Sequence, residues 1–150
     1  MKTTEDLTNV LLQTEPEALD ETLRQAEEKL FTGERPFADY VRALIRRKGL
    51  RQQDVFLAAD IPERYGYKLV SEERHTHRRD TILRLCFGAR CTPEEAQRVL
   101  QLQGLAPLYA RIARDAALLV ALNRRIYEIA DVNDYLEQHD LAPLAPCGDA

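Results

Sequence analysis

Between Arg51 and Arg78 the chain concentrates side chains suited to contacting a polyanion. Arginine pairs bidentately with guanine, glutamate accepts from the cytosine amino group, and lysine serves phosphate or guanine. Glu63, Arg64, Tyr67 and Lys68 fall at spacings that place them on one side of a short helix. Arg51 and Gln52 precede that helix, and Arg74, His75, His77 and Arg78 follow it as donors for phosphate oxygens. Phosphate contacts position a protein on a duplex, whereas contacts to base edges specify sequence.

The charge distribution supports this choice of region. The whole chain of 150 residues carries a formal net charge of −4. Residues 41–90 nevertheless hold 12 basic and 6 acidic side chains, against 4 and 10 in residues 1–40 and 5 and 9 in residues 91–150. A cationic middle between acidic ends can present a positive face to phosphates, while the ends oppose non-specific binding.

Other chemistry is weakly represented. His75, His77, Cys86 and Cys91 are of zinc-ligating types, but their spacing matches no familiar finger, and Cys86 falls on an apolar helical face beside Ile82 and Leu85. There is no nucleophile motif, glycine-rich phosphate loop or Walker sequence, so neither an enzyme nor a cofactor is expected. The adjacent Arg114 and Asp115 read as a structural ion pair or a cap. Three cysteines form no disulfide framework. The first residues lack a secretory pattern and no apolar run approaches the roughly 20 residues of a membrane span, so a cytoplasmic protein without membrane contact is expected.

The elements that must position these residues are helical throughout. Thr4, and Thr14 with Glu17, open two amphipathic helices in an acidic N-terminal arm, residues 1–34. Pro36 starts a third, with Phe37, Tyr40, Val41 and Leu44 on one face, cations in its last turn and Gly49 as its stop. Leu50–Ala59 and Pro62–Leu69 read as two short helices about a tight turn. Asp80 begins a helix ending near Gly88, and Thr92-Pro93-Glu94-Glu95 begins one ending at Gly104. Tyr109 to Asn123 reads as an apolar helix, and Asp131-Val132-Asn133-Asp134 caps a last one through Leu136 before a proline-bearing tail. The expected fold is a single all-α domain of roughly eight short helices: the arm, a core over residues 36–88 and C-terminal helices over residues 92–144.

The segment Phe37 to Gly88 resembles the Cro and phage-repressor type of helix-turn-helix. Gln52 stands where that family has glutamine, and Val55, Ala59, Ile61 and Leu69 fit its apolar positions. Arg51 replaces the usual hydroxyl residue, Phe56 a small one, Asp60 the turn glycine, Gly66 a branched apolar residue and Glu72 a helix-ending glycine. Tyr65 and Tyr67 are expected to fill the gap that Gly66 leaves. Over nearly the whole chain, Arg35-Pro36-Phe37-Ala38, Ile61 to Lys68, Arg79-Asp80, Ile82 to Cys86, Glu94 to Arg98, Leu108 to Ile112 and Arg114-Asp115-Ala116 resemble a group of small bacterial helix-turn-helix domain proteins. Gly66 and Arg79-Asp80 belong to that group's pattern, and the resemblance implies a fold more than a function.

Two functions are expected to compete. In the first, a transcription regulator binds double-stranded DNA with Pro62–Val70 in the major groove. A homodimer then spans half-sites about one helical turn apart, joined through Tyr109–Asn123, Val132–Leu136 or the acidic arm. In the second, the same helices form an adaptor that contacts a protein partner through Tyr65, Tyr67 and the basic loop, prompted by Gly66, Glu63, Glu72-Glu73 and the acidic ends.

Overall fold

The computed structural model describes residues 35–147. The two helices expected before Gly33 lie outside the described residues. Seven helices follow: α1 (Pro36–Arg47), α2 (Gln52–Ala59), α3 (Glu63–Val70), α4 (Arg79–Gly88), α5 (Pro93–Leu102), α6 (Ala113–Asn123) and α7 (Ile129–Gln138). The described residues form no strand, so the all-α expectation holds. No helix among them is long and apolar enough to cross a membrane.

Helix starts are set by local chemistry where the sequence supplies it. Pro36 and Pro93 occupy first-turn positions, where a missing N–H costs nothing. Thr92 and Glu95 form a reciprocal capping box, with Glu95 N–H donating to Thr92 Oγ1 at 3.2 Å and Thr92 N–H to Glu95 Oε1 at 2.9 Å. Six of the seven helix ends follow one rule. After α1, α2, α4, α5, α6 and α7 a residue of positive φ (Gly49, Asp60, Arg90, Gly104, Arg125, Asp140) reverses the chain. The next residue (Leu50, Ile61, Cys91, Leu105, Ile126, Leu141) then donates its N–H to a carbonyl five residues earlier. This is the Schellman closure, and its last residue is apolar at every end.

α4 is the central element. All of Thr81 to Gly88 is buried, and the helix packs against α2, α5 and α7, while α1 packs on α2, α3 and α5 and α6 joins α5 to α7. Gly88 lies inside α4 and is not its stop, which Arg90 provides. A Cβ on Gly88 would lie 2.5 Å from the Val55 carbonyl oxygen, so its role is to let α2 approach α4.

Two boundaries differ from expectation. Tyr109–Ile112 form a turn and α6 starts at Ala113, because the Asp115 carboxylate reaches back to accept the Tyr109 N–H at 2.9 Å. α7 starts at Ile129, so Asp131 lies in its first turn and does not cap it. Val132 and Leu136 are fully buried, which removes them as dimer contacts, whereas Tyr109, Ile112 and Val120 are exposed.

Two adjacent arginine–aspartate steps cross-link α4 and α6. Arg79 places Nη1 and Nη2 on Asp115 at 3.0 and 2.7 Å, and Arg114 places its own pair on Asp80 at 2.9 Å each. Asp115 is buried. Burial opposes ionisation of both carboxyls, but guanidinium and backbone N–H donors prevail and hold each below the ordinary carboxylate range. Arg114 also donates to Ala142 and Pro143 carbonyls, and buried Arg84 to those of Ala59, Leu144 and Ala145. The Pro143–Cys147 tail is thereby strapped back towards the α2–α3 turn.

Candidate nucleic-acid interface

α2 and α3 meet through Asp60-Ile61-Pro62. Asp60 takes the left-handed conformation (φ 55) without glycine, which aspartate tolerates better than most residues. Ile61 turns into the core and Pro62 accepts the Gly66 N–H at 2.8 Å, opening α3. Gly66, Leu69 and Val70 face inward, leaving Glu63, Arg64 and Tyr67 exposed and Lys68 half-buried on the outer side.

The gap at Gly66 is filled from α2. A Cβ there would lie 2.5 Å from Phe56 Cγ, and Phe56 is completely buried beneath α3. This corrects the expectation that Tyr65 and Tyr67 fill it. Tyr67 instead packs on Phe56, ring centroids 5.0 Å apart at 85°, and stays 42% exposed. Tyr67 thus combines a packed ring with solvent access.

The residues after α3 fold back onto it. Glu72 adopts φ 61 where the resembled family often has glycine, and Arg74 N–H donates to the Lys68 carbonyl at 3.1 Å. Arg74 is therefore held next to Lys68. The Glu72 carboxylate accepts the Ala38 N–H at 3.2 Å, so this acid serves the start of α1. Arg35 donates from Nη1 to the Ser71 carbonyl at 3.0 Å and adds a cation to the C-terminal end of α3. Sequence spacing carries no signal for Arg35 in this place, because the contact joins segments 36 residues apart.

The remaining site residues divide. Arg78 and His77 are exposed. His75 Nδ1 lies 3.0 Å from Gln103 Nε2 and its ring packs edge-on against His77 at 4.8 Å, which ties the basic loop to the end of α5. Buried Thr76 accepts the Arg78 N–H through its hydroxyl at 3.1 Å. Arg51 is committed locally, its Nε and Nη2 on the Asp54 carboxylate at 2.9 and 3.3 Å, and Gln52 is half-buried. Arg64, Lys68, Arg74 and Arg78 form no ion pair with another described residue. Glu63, Glu72 and Glu73 are the exposed acids beside them, Glu72 also accepting the Ala38 N–H.

The zinc-type residues do not converge. Cys86 and Cys91 are fully buried, and a hydrogen bond with Cys91 together with burial pushes the Cys86 thiol well above its ordinary value. No group of three or more histidine, cysteine or acidic side chains is placed to hold a metal among the described residues. Arg47 and Lys48 at the end of α1 pair with Glu95 at 2.7 and 2.8 Å; despite burial, Glu95 stays below its ordinary value through Lys48 and the Thr92 N–H. No protein-family model, curated protein or solved structure matches the chain.

Proposed function

We propose that the protein is a DNA-binding regulator that sets the outer face of α3 in the major groove of double-stranded DNA, in the manner of a Cro-like helix-turn-helix. The observation that carries this reading is the outer face of α3 itself. Arg64 and Tyr67 are exposed, Lys68 is half-exposed, Arg74 is folded beside Lys68, and the exposed Glu72 accepts the Ala38 N–H at the start of α1. Arg64 reads a guanine edge, Glu63 accepts from a cytosine amino group, and Tyr67 makes apolar or hydroxyl contact with a neighbouring base. Lys68, Arg74 and Arg78 hold phosphates, with His75 and His77 as secondary donors. Arg51 contributes little, because Asp54 already neutralises it. The exposed apolar residues Tyr109 and Ile112 in the turn before α6 and Val120 on α6 suit contact with a second copy.

Selection of bound sequences from a randomised duplex library, followed by anisotropy titration, tests the reading. Enrichment of one motif, lost in Arg64→Ala, is expected. Failure to enrich any sequence, with binding insensitive to salt, overturns it.

A second reading is favoured by Glu63, Glu72 and Glu73, three exposed acids that interrupt the cationic face, and by Leu57 at 80% exposure on α2. In that reading Tyr67 and Leu57 anchor a protein partner. A stoichiometric partner released by Tyr67→Ala, with no DNA bound, would favour it.

A further inference from the structure

We infer that the acidic N-terminal segment, residues 1–34, docks on the cationic outer face of α3 and competes there with polyanionic partners. The inference rests on the reading of that face as a polyanion-binding surface.

The described fold begins where α3 ends. Arg35 is bonded to the Ser71 carbonyl and Ala38 to the Glu72 carboxylate, so the chain entering α1 is joined twice to the C-terminal end of α3. Residues 1–34 are therefore tethered beside Lys68 and Arg74. They carry nine acidic side chains against three basic ones. Glu27, Glu28 and Glu34 lie within eight residues of Arg35, a reach of up to about 26 Å at full extension. α3, with 8 residues, is only about 12 Å long.

The surface offers what such a segment needs. Arg64, Lys68 and Arg74 form no ion pair among the described residues. Glu63 directly precedes Arg64 and Glu72-Glu73 directly precede Arg74, with Glu72 engaged by the Ala38 N–H at the α1 start although still exposed. A short tether raises the local concentration of its own ligand to about the millimolar range, enough for a weak contact to compete with a free polyanion. Arg46, Arg90, Arg124 and Arg125 are also exposed cations, but none of them adjoins the point where the segment enters.

Zero-length carbodiimide coupling of the full chain, which joins carboxylates to amines, tests the contact directly. The lysines are Lys2, Lys29, Lys48 and Lys68, and Lys48 is already paired with Glu95. Mass spectrometry is expected to find Lys68 joined to Glu21, Glu27, Glu28 or Glu34 at low salt, with loss of those links at high salt. Lys68 links confined to Glu63, Glu72 or Glu73 would overturn the inference. In parallel, the full-length variant E21Q/E27Q/E28Q/E34Q is expected to bind short duplex DNA about fivefold more tightly than the unaltered chain. Links to Lys68 without DNA binding by either chain would support the docking and overturn the DNA-binding reading. Equal DNA affinity without such links would do the reverse.

Discussion

The Phe56 ring occupies the space that a side chain at position 66 would need. Phe56 Cγ lies 2.5 Å from where a Gly66 Cβ would stand, so the large residue at 56 and the absent side chain at 66 compensate each other across the α2–α3 contact. Glycine inside α3 costs about 1 kcal/mol of helix propensity, which the buried ring offsets.

Gly66→Ala should destabilise the fold by about 1–2 kcal/mol, overpacking against Phe56 exceeding the gain in propensity. Phe56→Ala alone should cost about 3–5 kcal/mol. The double variant F56A/G66L restores the usual small-then-branched arrangement and should recover part of that loss. Urea denaturation checks the cycle, and additive effects of the two positions would refute the compensation.

Stability should fall in acid through the crossed pairs. Asp80 and Asp115 titrate below the ordinary aspartate value when folded, so the unfolded chain takes up protons first. Their contribution is fully present above an unfolded pKa of about 4 and is lost as pH drops through the folded values. Asp115→Asn, which leaves Arg79 without its charge partner, should cost roughly 2–3 kcal/mol at neutral pH, because Arg79 remains partly solvated. The same variant should show a shallower loss of stability between about pH 5 and 2 in a pH series of denaturant melts.

Lys68→Ala and Arg74→Ala should each weaken DNA binding roughly equally for all sequences and reduce the salt slope by about one. Arg64→Ala should instead relax base preference at one position, a loss of about 1–3 kcal/mol. Arg51→Ala should leave affinity within about twofold, because the side chain already serves Asp54. Salt-dependent anisotropy titrations distinguish the three outcomes.

Arg84 is the buried hub of the tail. Arg84→Met removes donors from the carbonyls of Ala59, Leu144 and Ala145, and each carbonyl left unsatisfied costs about 1–3 kcal/mol. Amide hydrogen exchange should then accelerate at Leu144 and Ala145, whose N–H groups donate to Asn133 and Asp80. Unchanged exchange there would show that the strap does not depend on Arg84.

The legible part of the fold lies where one residue type dictates one backbone state. Thr92 with Glu95, the prolines at 36 and 93, and the glycines at 49 and 104 mark helix ends as read. Arg90, Arg125 and Asp140 end helices just as firmly, but their left-handed state is imposed by the apolar residue that follows and must reach the core. Periodicity extends α6 back to Tyr109, whereas the helix starts at Ala113 and the Tyr109 N–H goes to Asp115, six residues on. The outward set on α3 follows from helical spacing, whereas the pairing of Arg51 with Asp54, one turn on, emerges only from the structure. Phe56 with Gly66, and Arg79-Asp80 with Arg114-Asp115, become partners only once distant segments meet.

Four helix ends, at Asp60, Arg90, Arg125 and Asp140, place a charged and solvent-exposed side chain on a backbone geometry that disfavours any Cβ. Glycine at any of them would relieve about 1 kcal/mol, less for the aspartates. The molecule therefore keeps unspent thermal tolerance at Arg90, Arg125 and Asp140, where a protein engineer could raise the melting temperature without touching core or face, whereas Asp60 also pairs with buried Arg84 at 3.7 Å.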